Sequence, residues 1–220
     1  MKMKYSNLVM VLLTFATLKT QAQNSDIVQV KDTAYMHVVQ QRAAKIVDKM
    51  NLPAGINKTD VQNSIAWQYY NLNEIYKKRD SALAIVKKDT VNAAIRKQAI
   101  TDATSASIDS LHPIFIAELA KDLDTAGINK VKDGMTYDVL HVTYNAYQQM
   151  LPTLNAQQKQ QIYTWLVEAR EHAMDAESSE KKHAWFGKYK GRINNYLSAQ
   201  GYDLNKATTE WQNRIKAGKQ

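Results

Sequence analysis

Apolar side chains recur at helical spacing along most of this chain, and that recurrence confines it to an all-α fold. Tyr35, Val39, Ala43, Ile46, Val47 and Met50, with Arg42 among them, follow one another every three or four residues. That is the period of a single helix face. Val61, Ile65, Tyr69, Leu72, Tyr76, Leu83 and Val86 repeat the pattern further on. Strand-forming chains punctuate every strand pair with turn residues, but here 220 residues hold only seven Gly and three Pro. Apolar residues make up 45% of the chain, enough for a sizeable core.

Local signals divide the stripes into about six to seven helices, packed as an antiparallel bundle with short joints. Asp32 or Thr33 caps a first helix ending near Met50. Thr59 and Gln62 have the spacing of a capping box for a second. A third begins near Asp89 and Thr90 and should end or kink at His112–Pro113, because a proline disfavours helix at the residue before it. Pro113 can equally open a new short helix from Ile114 to Leu123. Single helices are expected over 130–150 and 156–176. Ser178 or Ser179 caps the next, Gly201 closes it, and a last helix over 205–216 leads into a polar tail. The joints "LPAGINKTDVQ", "LDTAGINKVKDGM" and "LPTLNAQQKQQI" are alike. Convergent turn chemistry and an old hairpin duplication both account for that.

The N-terminus, "MKMKYSNLVMVLLTFATLKTQAQ", reads as a signal peptide over 1–22. Lys2 and Lys4 precede an apolar run, Leu8 to Leu18, that is too short to span a bilayer, and Thr20 and Ala22 suit cleavage after Ala22. Residues 23–220 then form a single helical domain, exported and periplasmic, with no membrane span. Losing Lys2, Lys4 and Lys19 takes the net charge from +8 to +5. Export argues against nucleic acid as the partner of that charge and assigns it to anionic glycans, a membrane surface or solubility; the expected partner is a glycan or a partner protein. The chain has no cysteine. Disulfides, thiolate zinc sites and a cysteine nucleophile are excluded, as is a lipoprotein anchor.

Three faces can carry chemistry. Asp133, Tyr137, His141, Tyr144 and Gln148 share one side of the expected 130–150 helix, where an acid, two phenols and an imidazole suit a polyhydroxylated ligand, a metal, or a semi-buried packing face. Glu168, Glu171, His172 and Asp175 fall at helical spacing on the next helix, as a divalent-metal or acid–base set. The same four suit a solvated face paired to Arg170 and Lys182. The third face lies in "HAWFGKYKGRINNYL". Here Trp185, Lys188, Tyr189, Arg192 and Asn195 make a stacking and cationic surface suited to an acidic sugar. Gly187 and Gly191 mark the close approach of a helix or a ligand. No resident cofactor is expected, beyond that divalent metal. No nucleophile elbow, phosphate loop, H-E-x-x-H or dinucleotide fingerprint is present.

"VKDGMTYDVLHVTYNAYQQMLP", "LVEAREHAMDAESSEKKHAWFGKYKGRINNYLSAQGYDL" and "QYYNLNEIYKKRD" resemble a secreted bacterial family catalogued as domain of unknown function 3826. The likeness spans nearly the whole mature chain and is sharpest over 131–204. It implies no activity and carries over no catalytic residues; its members occur among exported proteins of glycan-degrading bacteria. "LNAQQKQQI" is also similar to a helix start of periplasmic Spy-like chaperones. The expected function is therefore a non-catalytic binding or accessory protein of glycan use, monomeric or dimeric, with its pocket between the 137–144 face and the 185–195 helix. A Spy-like chaperone and a metal-assisted enzyme using Glu168, His172 and Asp175 are the alternatives.

Overall fold

The computed structural model describes residues 32–87 and 92–218. The expected signal peptide lies outside them. The described residues form eight helices and no strand: α1 (Thr33–Lys49), α2 (Lys58–Val86), α3 (Ala93–Leu119), α4 (Thr125–Met135), α5 (Val139–Met150), α6 (Ala156–Met174), α7 (Ser179–Ala199) and α8 (Leu204–Lys216). No helix among them is long and apolar enough to cross a membrane.

Neighbouring helices run antiparallel. Lys77 late in α2 pairs with Asp32 at the start of α1, at 3.2 Å, while Gln62 early in α2 donates to the Gln40 carbonyl. Along α6 and α7, His172 meets Trp185 and Trp165 meets Tyr196. Two apolar cores result. The first joins α1, α2, α4 and the end of α3 around Val39, Ile65, Leu119 and Met135. The second joins α5 to α8 around Leu140, Leu166, Phe186 and Ile193. Helix α6 serves both: Ala173 belongs to the second core and Met174 to the first. Helix α1 packs closely on α4. A Cβ placed on Gly134 would lie 2.6 Å from Ile46 Cγ2, so only glycine fits there.

Several boundaries differ from the sequence expectation. The cap of α2 is Asn57, whose side chain accepts from the Thr59 N–H, so the Thr59–Gln62 box is unused. The capping box that does form is Asn155 with Gln158, at the start of α6. Helix α3 runs through Pro113 without breaking. On either side of the proline, His112 is tied to Asp175 and Phe115 and Leu119 are buried. Those anchors outweigh the local steric preference.

The expected helix over 130–150 is two helices. Helix α4 ends in a Schellman motif: the Asp138 N–H donates to the Asp133 carbonyl and the Tyr137 N–H to the Gly134 carbonyl. Tyr137 takes the left-handed position there with φ 58°, and Asp138 follows at φ 58°. The same motif closes α7, but with Gly201 in the left-handed place. A tyrosine there is a strained choice, of the kind that clusters at functional sites.

Candidate functional site

Two clefts flank the α6–α7 joint and share Tyr76, Ala176 and Glu177. The larger, about 1220 Å³, lies among α1, α2, α4 and the start of α7. Tyr35, Tyr69, Tyr76 and Tyr137 form part of its walls, and Arg42, Lys45, Lys49, Lys130 and Lys182 line it. Arg42, Lys45 and Lys49 are exposed and have no ion-pair or hydrogen-bond partner among the described residues. Lys130 donates to the Met50 carbonyl at 3.2 Å.

The cleft's carboxylates are largely spoken for. Asp133 receives Arg170 at 2.8 Å and lies 3.1 Å from His141 Nε2, and Glu177 pairs with Arg79. Asp138 is exposed at the rim. Deep in the cleft, Asn73 has a buried Nδ2 without a partner. A buried donor left unpaired costs about 1–3 kcal/mol, which a bound acceptor recovers. Burial pushes the Tyr69 hydroxyl far up and the Tyr76 hydroxyl to about 12, so both are neutral donors.

Lys182 crosses the floor between the two cores and is 5% exposed. Its ammonium donates to the carbonyls of Met135 and Met174, both at 3.0 Å. Those are the last residues of α4 and α6, so one cation caps two helix C-termini. Burial pulls its pKa down to about 8, against the pull of Asp175.

The second cleft, about 590 Å³, holds His112, Glu171, His172, Asp175 and Trp185. Asp175 is buried, and its two oxygens accept from Gln68 Nε2 at 2.9 Å and face His112 Nδ1 at 2.5 Å. Tyr76 donates to the Asp175 carbonyl at 2.7 Å. The other His112 nitrogen lies 3.6 Å from Glu171, which also takes Lys132 at 2.6 Å. Asp175 first, then Glu171, raises His112 to about 9, against the cost of its burial. Burial works against charge on Glu171, but His112, Lys132 and Arg170 hold it at about 2. The His112 imidazolium and the Glu171 carboxylate are therefore charged at neutral pH and answer each other, with Asp175 and Lys132 completing the cluster.

The sequence-derived residues are distributed as follows. Tyr137 and His141 reach the larger cleft, Tyr137 being 56% exposed and stacked on His183. Tyr144 does not join them: it packs edge-on against Tyr163 beside the second core. Glu168, Glu171, His172 and Asp175 do not meet at one point. Glu168 pairs with Arg192, His172 stacks on Trp185 at 4.5 Å, and the other two serve His112. The acids and imidazole that do have metal spacing among the described residues are Asp133, Asp138 and His141, within 4.8 Å of one another, with Arg170 already on Asp133.

On α7, Tyr189 is buried against the core and Asn195 is exposed. Lys188 lies over the Trp185 ring at 5.0 Å and Arg192 over Trp165 at 4.5 Å. The Trp185 ring is thus already contacted by both His172 and Lys188. Gly187 and Gly191 face open space: a Cβ on either would meet nothing within 4 Å. No helix approaches them among the described residues, which removes the packing seam expected there. Without such a neighbour they only cost helix stability. Replacing both with Ala is expected to raise the unfolding free energy by about 1–2 kcal/mol in denaturant titration. A loss of stability would mean that the α7 backbone is contacted after all.

The residues that sequence reasoning passed over are Arg42, Lys45, Lys49, Asn73, His112 and Lys182. One signal was available. Arg42, Lys45 and Lys49 lie at i, i+3 and i+7, and Arg42 interrupts an apolar stripe.

The model of the family described as protein of unknown function (DUF3826) matches residues 36–217. The chain belongs to that family. No curated protein matches it.

Proposed function

We propose that this chain is a non-catalytic binding protein for a carboxylated oligosaccharide, which it holds in the larger cleft. One observation carries the reading: Arg42, Lys45 and Lys49 line a tyrosine-walled cleft and are paired with no carboxylate among the described residues. Guanidinium and ammonium groups left unpaired beside aromatic rings suit a ligand that is at once anionic and ring-shaped. The arginine fork takes a carboxylate in two-pronged fashion, and the phenol of Tyr35 offers a hydroxyl donor to sugar oxygens. The unpaired Asn73 amide adds a buried donor in the same cleft. The strained Tyr137–Asp138 turn at its rim also supports the assignment. Export through residues 1–22 would bring the protein to where such glycans occur, as the signal-like N-terminus suggests.

The direct test is calorimetry with uronic-acid-containing and neutral oligosaccharides of equal length. Heat is expected only with the acidic set. Arg42→Ala should weaken binding about tenfold, the equivalent of one charge-assisted contact of about 1.4 kcal/mol. Equal binding of neutral sugars, or none with any acidic one, would refute the assignment.

A further inference from the structure

The cations of the larger cleft are not clustered at a point; they are strung along a line. Arg42, Lys45 and Lys49 all sit on α1 and all line the cleft. At ~1.5 Å per residue, the first two are about 4.5 Å apart along the helix axis and the last two about 6 Å. Lys130 extends the row past the end of α1, where its ammonium reaches the carbonyl of Met50. The total run exceeds about 10 Å, longer than one pyranose ring. A single carboxylate would satisfy one of these cations and leave the others unanswered. The α2 wall of the cleft carries no charge, supplied by Tyr69, Leu72, Asn73 and Tyr76, and of the lining carboxylates Asp133 and Glu177 are held by Arg170 and Arg79. A row of unpaired cations beside a neutral, phenol-bearing wall matches a chain whose acidic groups recur at a short repeat and whose remaining surface is hydroxyl and ring.

Resting on the function proposed above, we infer that the cleft binds a run of linked acidic sugars rather than a single one, laid parallel to α1 with successive carboxylates on Arg42, Lys45 and Lys49. The ligand class is a linear polyuronate of at least three units. Tightness comes from chain length, because each added unit engages a further cation without a new loss of translational freedom. Binding also becomes steeply salt-dependent as the number of engaged cations grows.

The experiment measures Kd by calorimetry for the monomer, dimer, trimer and tetramer of one 1,4-linked hexuronic acid at fixed ionic strength, using the full-length mature chain. Inorganic polyphosphate of matched charge is run alongside. Affinity is expected to rise at least tenfold from monomer to trimer and little beyond the tetramer. Lys49→Ala should raise the trimer Kd by about fivefold or more. Lys206→Ala, which removes an equal charge from the exposed face of α8, should leave every Kd unchanged. Equal Kd for monomer and trimer would overturn the ladder while leaving an acidic-sugar site intact. Polyphosphate binding as tightly as the trimer would overturn the sugar class and leave only a polyanion groove. Silence from every acidic sugar would overturn both this inference and the function on which it rests.

Discussion

Asp175→Ala is expected to lower the unfolding free energy by about 3 kcal/mol at pH 6, the largest effect of any single change considered. Asp175 is buried and answers three partners: Gln68 and His112 through its side chain, and Tyr76 through its carbonyl. Removing the carboxylate spares the carbonyl bond. It strands a half-buried imidazolium and a buried amide, and loss of one partner of a buried pair typically costs about 3–5 kcal/mol. The lower end applies because His112 is partly solvated. The pH dependence separates this account from a plain packing defect. His112 is raised to about 9 in the folded protein from an ordinary 6.5. The folded state therefore binds the proton more tightly, and the stabilisation is fully present below pH 6.5 and lost as pH rises through 9. The penalty of Asp175→Ala should accordingly be largest at pH 6 and shrink markedly by pH 9.5. Urea titrations at the two values check it, and a penalty independent of pH would show that the ion pair contributes nothing.

Lys182→Met is expected to cost about 2–3 kcal/mol at pH 9.5. Methionine keeps the apolar stem of the lysine but cannot donate, so the terminal carbonyls of α4 and α6 lose their shared cap. Burying the ammonium has its own cost, visible in the pKa pulled down to about 8. A base with a depressed folded pKa is held charged more weakly in the folded state than in the unfolded chain. Its contribution therefore becomes more favourable as pH rises from about 8 towards 10.5. This trend opposes that of His112. Wild-type stability should fall from pH 6.5 to 8, level between 8 and 9 where the two cancel, and recover from 9 to 10. In Lys182→Met the recovery should vanish while the fall remains. Thermal unfolding across that range decides the matter: a recovery that persists in the variant would place its origin in another group.

Both effects lie in the seam between the two cores, and that seam explains why the function was harder to read from the chain than the fold. Stripes such as Val61, Ile65, Tyr69 and Leu72 announce their helices because helical period is a local property of the backbone. The caps at Asp32 and Ser178 are legible for the same reason, since an N-cap acts within three residues. The break at Tyr137 is also local in mechanism, but its residues carry no glycine to announce it. Tyr144 packs against the core, while Asp133, Tyr137 and His141, on both sides of the break, line the larger cleft.

The sequence by itself determined that the chain is all-α, where most of its helices start, that no cysteine chemistry is open to it, and the family it resembles. Those follow from spacing and residue type, which act over a few residues. Only the tertiary structure decided which polar groups answer one another. Gln68, His112 and Asp175 are separated by tens of residues, and Lys182 reaches back 47 residues to the Met135 carbonyl. It also decided that Glu168 and His172 are occupied by Arg192 and Trp185, while Arg42, Lys45 and Lys49 are left facing an open cleft. A charge is available for a ligand only when the fold leaves it without a partner, and partners are chosen by packing across the whole chain.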